Sequence, residues 1–154
     1  LSGGVQLYSK DVSGVIRPFA LNDDGSVNRL TPAALLDVAQ TFTAGQAIAQ
    51  GTLVDGLGIA VDAALTNNFQ LELTQASTLA NPTNVVPGMV INIAVRQNGV
   101  GGFTLGYGAA FKFAGGTPVV STAPNAEDLI SCYVRTAAAG VATVMLCSIA
   151  QDHT

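Results

Sequence analysis

Residues 67–75, NNFQLELTQ, alternate strictly, with Phe69, Leu71 and Leu73 on one face and Gln70, Glu72 and Thr74 on the other. A period of two marks a half-buried β-strand. Residues 89–97, MVINIAVRQ, repeat the pattern: Met89, Ile91, Ile93 and Val95 make a wholly apolar face, while Val90, Asn92, Ala94 and Arg96 make a mixed one. Downstream the series continues through GFTLGY (102–107), FKF (111–113), DLISCYVR (128–135) and VATVMLCSI (141–149). Asn98–Gly102, Gly115–Pro118 and Ala137–Gly140 separate these segments as Gly- and Pro-rich connections. The spacing predicts about eight strands beyond residue 46. This spacing fits a sandwich or a barrel, and of the two the expected fold is a mainly β, antiparallel β-sandwich, jelly-roll-like.

Upstream of this region the pattern differs. VIRPFAL (15–21) and VNRL (27–30) flank Asn22-Asp23-Asp24-Gly25-Ser26, where Asp-Gly is a strong hairpin signal. Thr31 as N-cap and Pro32 at the first helical position then lead into AALLDVA (33–39), which predicts one short helix. Two turns of helix are marginal alone in water, so Leu35, Leu36 and Val38 are expected to dock on another surface. The chain is accordingly divided into an N-terminal arm, hairpin and short helix over residues 1–38, and a β-sandwich over 39–154.

Composition narrows the function. Of 154 residues, 10% are charged and 49% hydrophobic, against about 25% charged in a typical soluble domain. Six Lys and Arg against ten Asp and Glu give a net charge of −4 with no basic cluster, which argues against nucleic acid as a partner. The uncharged stretch 73–95 is long enough to cross a bilayer, but Pro82, Pro87, Asn81 and Asn84 argue against membrane insertion. The opening LSGGVQLYSK lacks the basic flank and apolar run of a secretory signal. With six Phe, three Tyr and no Trp, the chain has few large side chains to fill a core. Burial between copies would compensate, and the outward-facing Val90 and Ala94 are the expected oligomer interface.

No catalytic, cofactor-binding or metal-binding residue is expected. The single histidine, His153, stands next to last, a poor place to hold a general base. Glu72, Glu127 and Asp128 are the carboxylates that a glycoside-cleaving site would need, but Glu127 and Asp128 are adjacent on a strand and point to opposite faces. They are expected to form a solvated strand end. Residues 22–28, NDDGSVN, resemble the start of a calcium loop but have Ala33 or Leu35 where the twelfth-position Glu belongs. The glycines of NGVGG (98–102) are not followed by Lys-Ser or Lys-Thr, and predict a hairpin turn with positive φ. Cys132 and Cys147 fall on consecutive strands and could lie almost opposite one another. A bridge would need local adjustment, and two buried free thiols are the expectation.

The succession AQTFTAGQ (39–46), VDAALTNNFQLELT (61–74), STLANPTN (77–84), PG (87–88), VRQNGVGGFTLGYGAAFKFAGGTP (95–118) and STAPNAEDLISCYV (121–134) resembles a β-rich domain of tailed-bacteriophage virion surface proteins. The resemblance spans roughly residues 39–149 with the elements in one order. It implies a non-enzymatic protein without cofactors, often a homotrimer, found in tail fibres, head fibres or capsid decorations. The implied partners are copies of itself, other virion proteins and a host surface glycan, and the implied location is the phage particle after synthesis in host cytoplasm. The chain departs from that domain at Phe111-Lys112-Phe113, where an aromatic pair often ends in Trp. The clustered aromatics Tyr107, Phe111, Phe113 and Tyr133 are the candidate ligand contacts, for a glycan or a small carbohydrate-binding module.

Overall fold

The computed structural model describes residues 6–12, 15–21, 27–29 and 47–153, with side chains described from residue 47 onward. The short helix expected after Thr31, with Leu35, Leu36 and Val38, lies outside the described residues, and no helix occurs among the described ones. No helix there is long and apolar enough to cross a membrane.

Two compact units divide the chain, Leu1–Gln46 and Ala47–Thr154. In the first, β1 (Gln6–Val12), β2 (Val15–Leu21) and β3 (Val27–Arg29) form an antiparallel sheet in that order. The hairpin read around Asp24-Gly25 corresponds to β2 and β3, paired from Leu21↔Val27 to Phe19↔Arg29. QLYSKDV, not anticipated as a strand, adds β1 to the other side of β2.

The second unit contains nine strands: β4 (Gln50–Thr52), β5 (Gly58–Ile59), β6 (Asn68–Leu73), β7 (Ser77–Leu79), β8 (Val90–Gln97), β9 (Leu105–Tyr107), β10 (Phe111–Phe113), β11 (Glu127–Ala138) and β12 (Val141–Ala150). They form a six-stranded sheet, β10-β12-β11-β8-β6-β4, and a three-stranded sheet, β5-β7-β9. The expectation of a purely antiparallel, jelly-roll order is corrected here. From β4 to β9 the chain crosses to the other sheet after every strand, so each return lays a strand alongside the one it left, in the same direction. Thus β4, β6 and β8 are mutually parallel, as are β5, β7 and β9. Only the tight hairpin β11–β12 and its pairing with β8 are antiparallel, and β10 closes the edge parallel to β12.

The crossings depend on particular residues. NGVGG supplies positive φ at Gly101 and Gly102, as expected, but it joins β8 to β9 in different sheets and is a crossover, not a hairpin. Gln97, buried at the end of β8, holds that crossover: its Nε2 donates to the carbonyls of Phe103 (2.8 Å) and Ser121 (3.0 Å), and its Oε1 accepts from Phe103 N–H (3.2 Å). A buried amide with its donors and acceptor engaged carries little desolvation penalty and fixes the path of both loops.

Both sheets contribute to one hydrophobic cluster. Phe69, Leu71 and Leu73 from β6, Ile91, Ile93 and Val95 from β8, Ile130 and Val134 from β11, and Met145 from β12 meet Ile59, Leu79 and Leu105 of the smaller sheet. The alternation read in NNFQLELTQ and MVINIAVRQ thus sorts side chains as predicted, with Gln70 and Glu72 outward. Cys132 and Cys147 lie in that cluster joined by a disulfide, contrary to the expectation of free thiols. They are register partners with Cα atoms 4.1 Å apart, the close approach of a non-hydrogen-bonded antiparallel pair, which brings the sulfurs within bonding reach.

Candidate interaction face

The outer face of the six-stranded sheet carries the most organised array of exposed side chains. Strand register arranges it in rows about 4.8 Å from strand to strand. One row is polar: Gln50, Asn68, Asn92, Ser131 and Ser148 run across β4, β6, β8, β11 and β12. Within it Asn92 Nδ2 donates to Asn68 Oδ1 (2.9 Å) and Ser131 Oγ donates to Asn92 Oδ1 (2.8 Å). The row crosses two parallel and two antiparallel pairings, and the register at each sets a polar side chain beside its neighbour, within hydrogen-bonding reach.

On one side of this ladder lies an apolar row. Val90, Tyr133 and Leu146 are cross-strand partners on β8, β11 and β12, and Lys112 of β10 follows Leu146. Their exposures of 41%, 47% and 52% leave a hydrophobic strip open to solvent. On the other side, Thr52, Gln70, Ala94, Leu129 and Ala150 form a mixed row, and beyond it Glu72, Arg96 and Glu127 form a charged one. Arg96 Nε is 3.9 Å from Glu127 Oε1, and an Arg96 guanidinium N–H donates to Asn125 Oδ1 at 3.2 Å. Ala94, a methyl group among longer neighbours, is the floor of a groove of about 530 Å³ lined by Gln50, Thr52, Gln70, Glu72, Arg96 and Glu127.

The sequence-derived candidates are distributed as follows. Val90 and Ala94 share this face, two rows apart, the first in the apolar strip and the second under the groove. Tyr107, Phe111 and Phe113 do meet, with ring centroids 4.8, 5.6 and 6.5 Å apart, but they pack with the core. Phe111 is buried, and the Tyr107 hydroxyl is buried without a hydrogen-bond partner among the described residues. Burial, with a contribution from the charge of Asp128, pushes the Tyr107 phenol up to about 12. Tyr133 is not part of that group: it stands on the outer face between Val90 and Leu146.

Of the carboxylates, Asp128 is not solvated as expected but buried. Its oxygens accept from the backbone N–H groups of Ser121 (2.6 Å) and Asp152 (2.9 Å), at a buried position of β11 that alternates with exposed Glu127. Glu127 stays exposed. Sequence reasoning missed that Glu72 and Glu127 flank Arg96 in one row. They are 55 residues apart, and only the β6–β8–β11 register brings them together. His153 lies beside Glu127, its N–H donating to the Glu127 carbonyl at 2.8 Å. No group of three or more His, Cys, Asp or Glu side chains suited to a metal ion occurs among the described residues.

Comparison of the chain with known protein families, with curated proteins and with solved structures finds no match.

Proposed function

We propose that this chain is a non-catalytic structural protein of a bacteriophage virion surface, assembled as a homotrimer of β-sandwich subunits in a tail-fibre or adhesin-type component. Two observations support the reading. The residues between 39 and 149 resemble domains of such virion proteins, and the outer sheet face exposes the contiguous strip Val90–Tyr133–Leu146, which a second copy would cover. The strip carries the proposal. The shared cluster of the six- and three-stranded sheets supports the sandwich reading of the subunit. In this reading residues 1–38 provide attachment to other virion proteins, with Leu35, Leu36 and Val38 as docking residues.

A capsid decoration or head-fibre protein is the alternative within the same class. Tail and head readings separate experimentally: the first predicts binding of the isolated protein to host cells, the second predicts binding to empty capsids and a rise in capsid melting temperature. The self-association itself is tested by light scattering at micromolar concentration. The native chain is expected at three times its monomer mass, and Tyr133→Glu or Leu146→Glu, which place an unpaired charge on the strip, are expected at lower mass. A native chain running as a monomer removes the proposal.

A further inference from the structure

The groove over Ala94 differs chemically from the apolar strip beside it. Its floor is a methyl group, and its walls alternate donors and acceptors: the Gln50 and Gln70 amides, the Thr52 hydroxyl, the Arg96 guanidinium, and the Glu72 and Glu127 carboxylates. These groups stand on β4, β6, β8 and β11, so they recur at the strand spacing of about 4.8 Å, comparable with the length of a pyranose ring. We infer that this groove binds a neutral oligosaccharide, a few sugar units laid across the strands with their hydroxyls bonded to its walls.

The lining argues against other ligand classes. Two carboxylates outnumber one guanidinium, so a phosphate, nucleotide or polyuronate would meet net repulsion. The Arg96 side chain stands in the row between Glu72 and Glu127, which keeps a divalent cation from bridging them. An apolar ligand would strip water from amides and charges without returning hydrogen bonds. A neutral polyol does return them, because each hydroxyl both donates and accepts, and a carboxylate or guanidinium can engage two neighbouring hydroxyls at once.

Several walls are also held before any ligand arrives. Gln70 Nε2 donates to Thr52 Oγ1 at 2.9 Å, and an Arg96 guanidinium N–H donates to Asn125 Oδ1 at 3.2 Å, while the solvent-exposed 3.9 Å approach of Arg96 to Glu127 adds little. Side chains fixed on strands lose less conformational entropy on binding than side chains on loops. The inference rests on the groove alone and stands whether or not the protein belongs to a virion.

The test is retention of the full chain on an array of immobilised neutral hexose and N-acetylhexosamine tri- to pentasaccharides beside uronate-rich chains of similar length, followed by calorimetry with the best-retained neutral compound. Neutral oligosaccharides are expected to bind and uronates to bind more weakly. Ala94→Leu, which fills the floor, and Arg96→Met, which removes the braced donor, are each expected to weaken binding roughly tenfold or more. Ser148→Ala, exposed on the same sheet face but outside both the groove and the apolar strip, is expected to bind as the native chain does. Should Ala94→Leu fail to fold by circular dichroism, Arg96→Met and Glu72→Gln carry the comparison. Retention of no neutral oligosaccharide, preference for uronates, or unchanged affinity in the groove variants overturns the inference.

Discussion

Ala139 and Gly140 form the two-residue connection between β11 and β12, with φ of 49° and 76°. A turn with both central residues left-handed matches the twist of a hairpin, but an alanine Cβ disfavours that region. Ala139→Asn, which creates Asn-Gly, is expected to raise stability by about 0.5–1 kcal/mol, read as a higher urea midpoint with an unchanged slope. Asp55 shows the opposite case, a residue already well served. Its Oδ2 accepts from the Thr74 N–H and hydroxyl (both 2.8 Å), and its Oδ1 from the Ser77 hydroxyl (2.6 Å) and Gly56 N–H (2.9 Å). Burial alone would raise its pKa, but the bonds from Ser77, Thr74 and Gly56 together outweigh that and hold it below the ordinary carboxylate value of 3.8. A carboxyl group depressed in the folded state contributes stability that is complete above the unfolded pKa and is lost as pH falls through the folded one. Asp55→Ala is therefore expected to lower stability at neutral pH, by no more than about 1 kcal/mol once solvent screening of this largely solvated carboxyl is allowed for, and the gap between variant and native chain is expected to narrow as pH falls below 3.8 in acid-denaturation series.

At the level of elements, β11 and β12 make the longest pairing among the described residues and bear the disulfide. Cys132 and Cys147 close a loop of 15 residues, which by chain entropy contributes about 3 kcal/mol. Full reduction under denaturing conditions, followed by refolding with thiol present, is expected to lower the melting temperature by several degrees, and an unchanged melting curve would deny the bridge a structural role. The same hairpin shows what a sequence pattern conveys and what it does not. Period-two alternation in 67–75 and 89–97 reports which side of a strand meets the core, and the burial of Phe69, Leu71, Leu73, Ile91, Ile93 and Val95 follows it. Alternation carries no information on which strand lies next door or in which direction. The parallel order arises from crossovers, so Glu72, Arg96 and Glu127 could not be grouped from spacing, whereas Cys132 and Cys147 could be because a two-residue turn fixes their register. Asp128 departs from the solvated strand end expected of it for a related reason: its burial depends on the segments carrying Ser121 and Asp152, which alternation does not place. The aromatics of 107–113 were legible as neighbours in sequence, but FKF alternates too, and that sends Phe111 inward while Lys112 faces out.

On the scale of the whole second unit, the large sheet is completed out of order. β10 precedes the hairpin in sequence yet among the described strands is hydrogen-bonded only to β12, so residues 111–113 find their partner in 145–147. β8, in turn, has β6 on one side and needs β11 on the other. A chain ending at Gly140 keeps the crossovers of β4 to β9 but lacks the strand between β10 and β11, exposing the apolar face on which Met145 packs. Such a truncation is expected to lose cooperative unfolding in urea and to bind a hydrophobic dye, while the full chain does neither. During translation this arrangement has a timing consequence. The growing polypeptide can wind its parallel strands as they leave the ribosome, but the edge strand β10 must wait roughly thirty residues for the hairpin that inserts beside it, and until then the sheet offers neighbouring nascent chains an unoccupied row of backbone donors and acceptors.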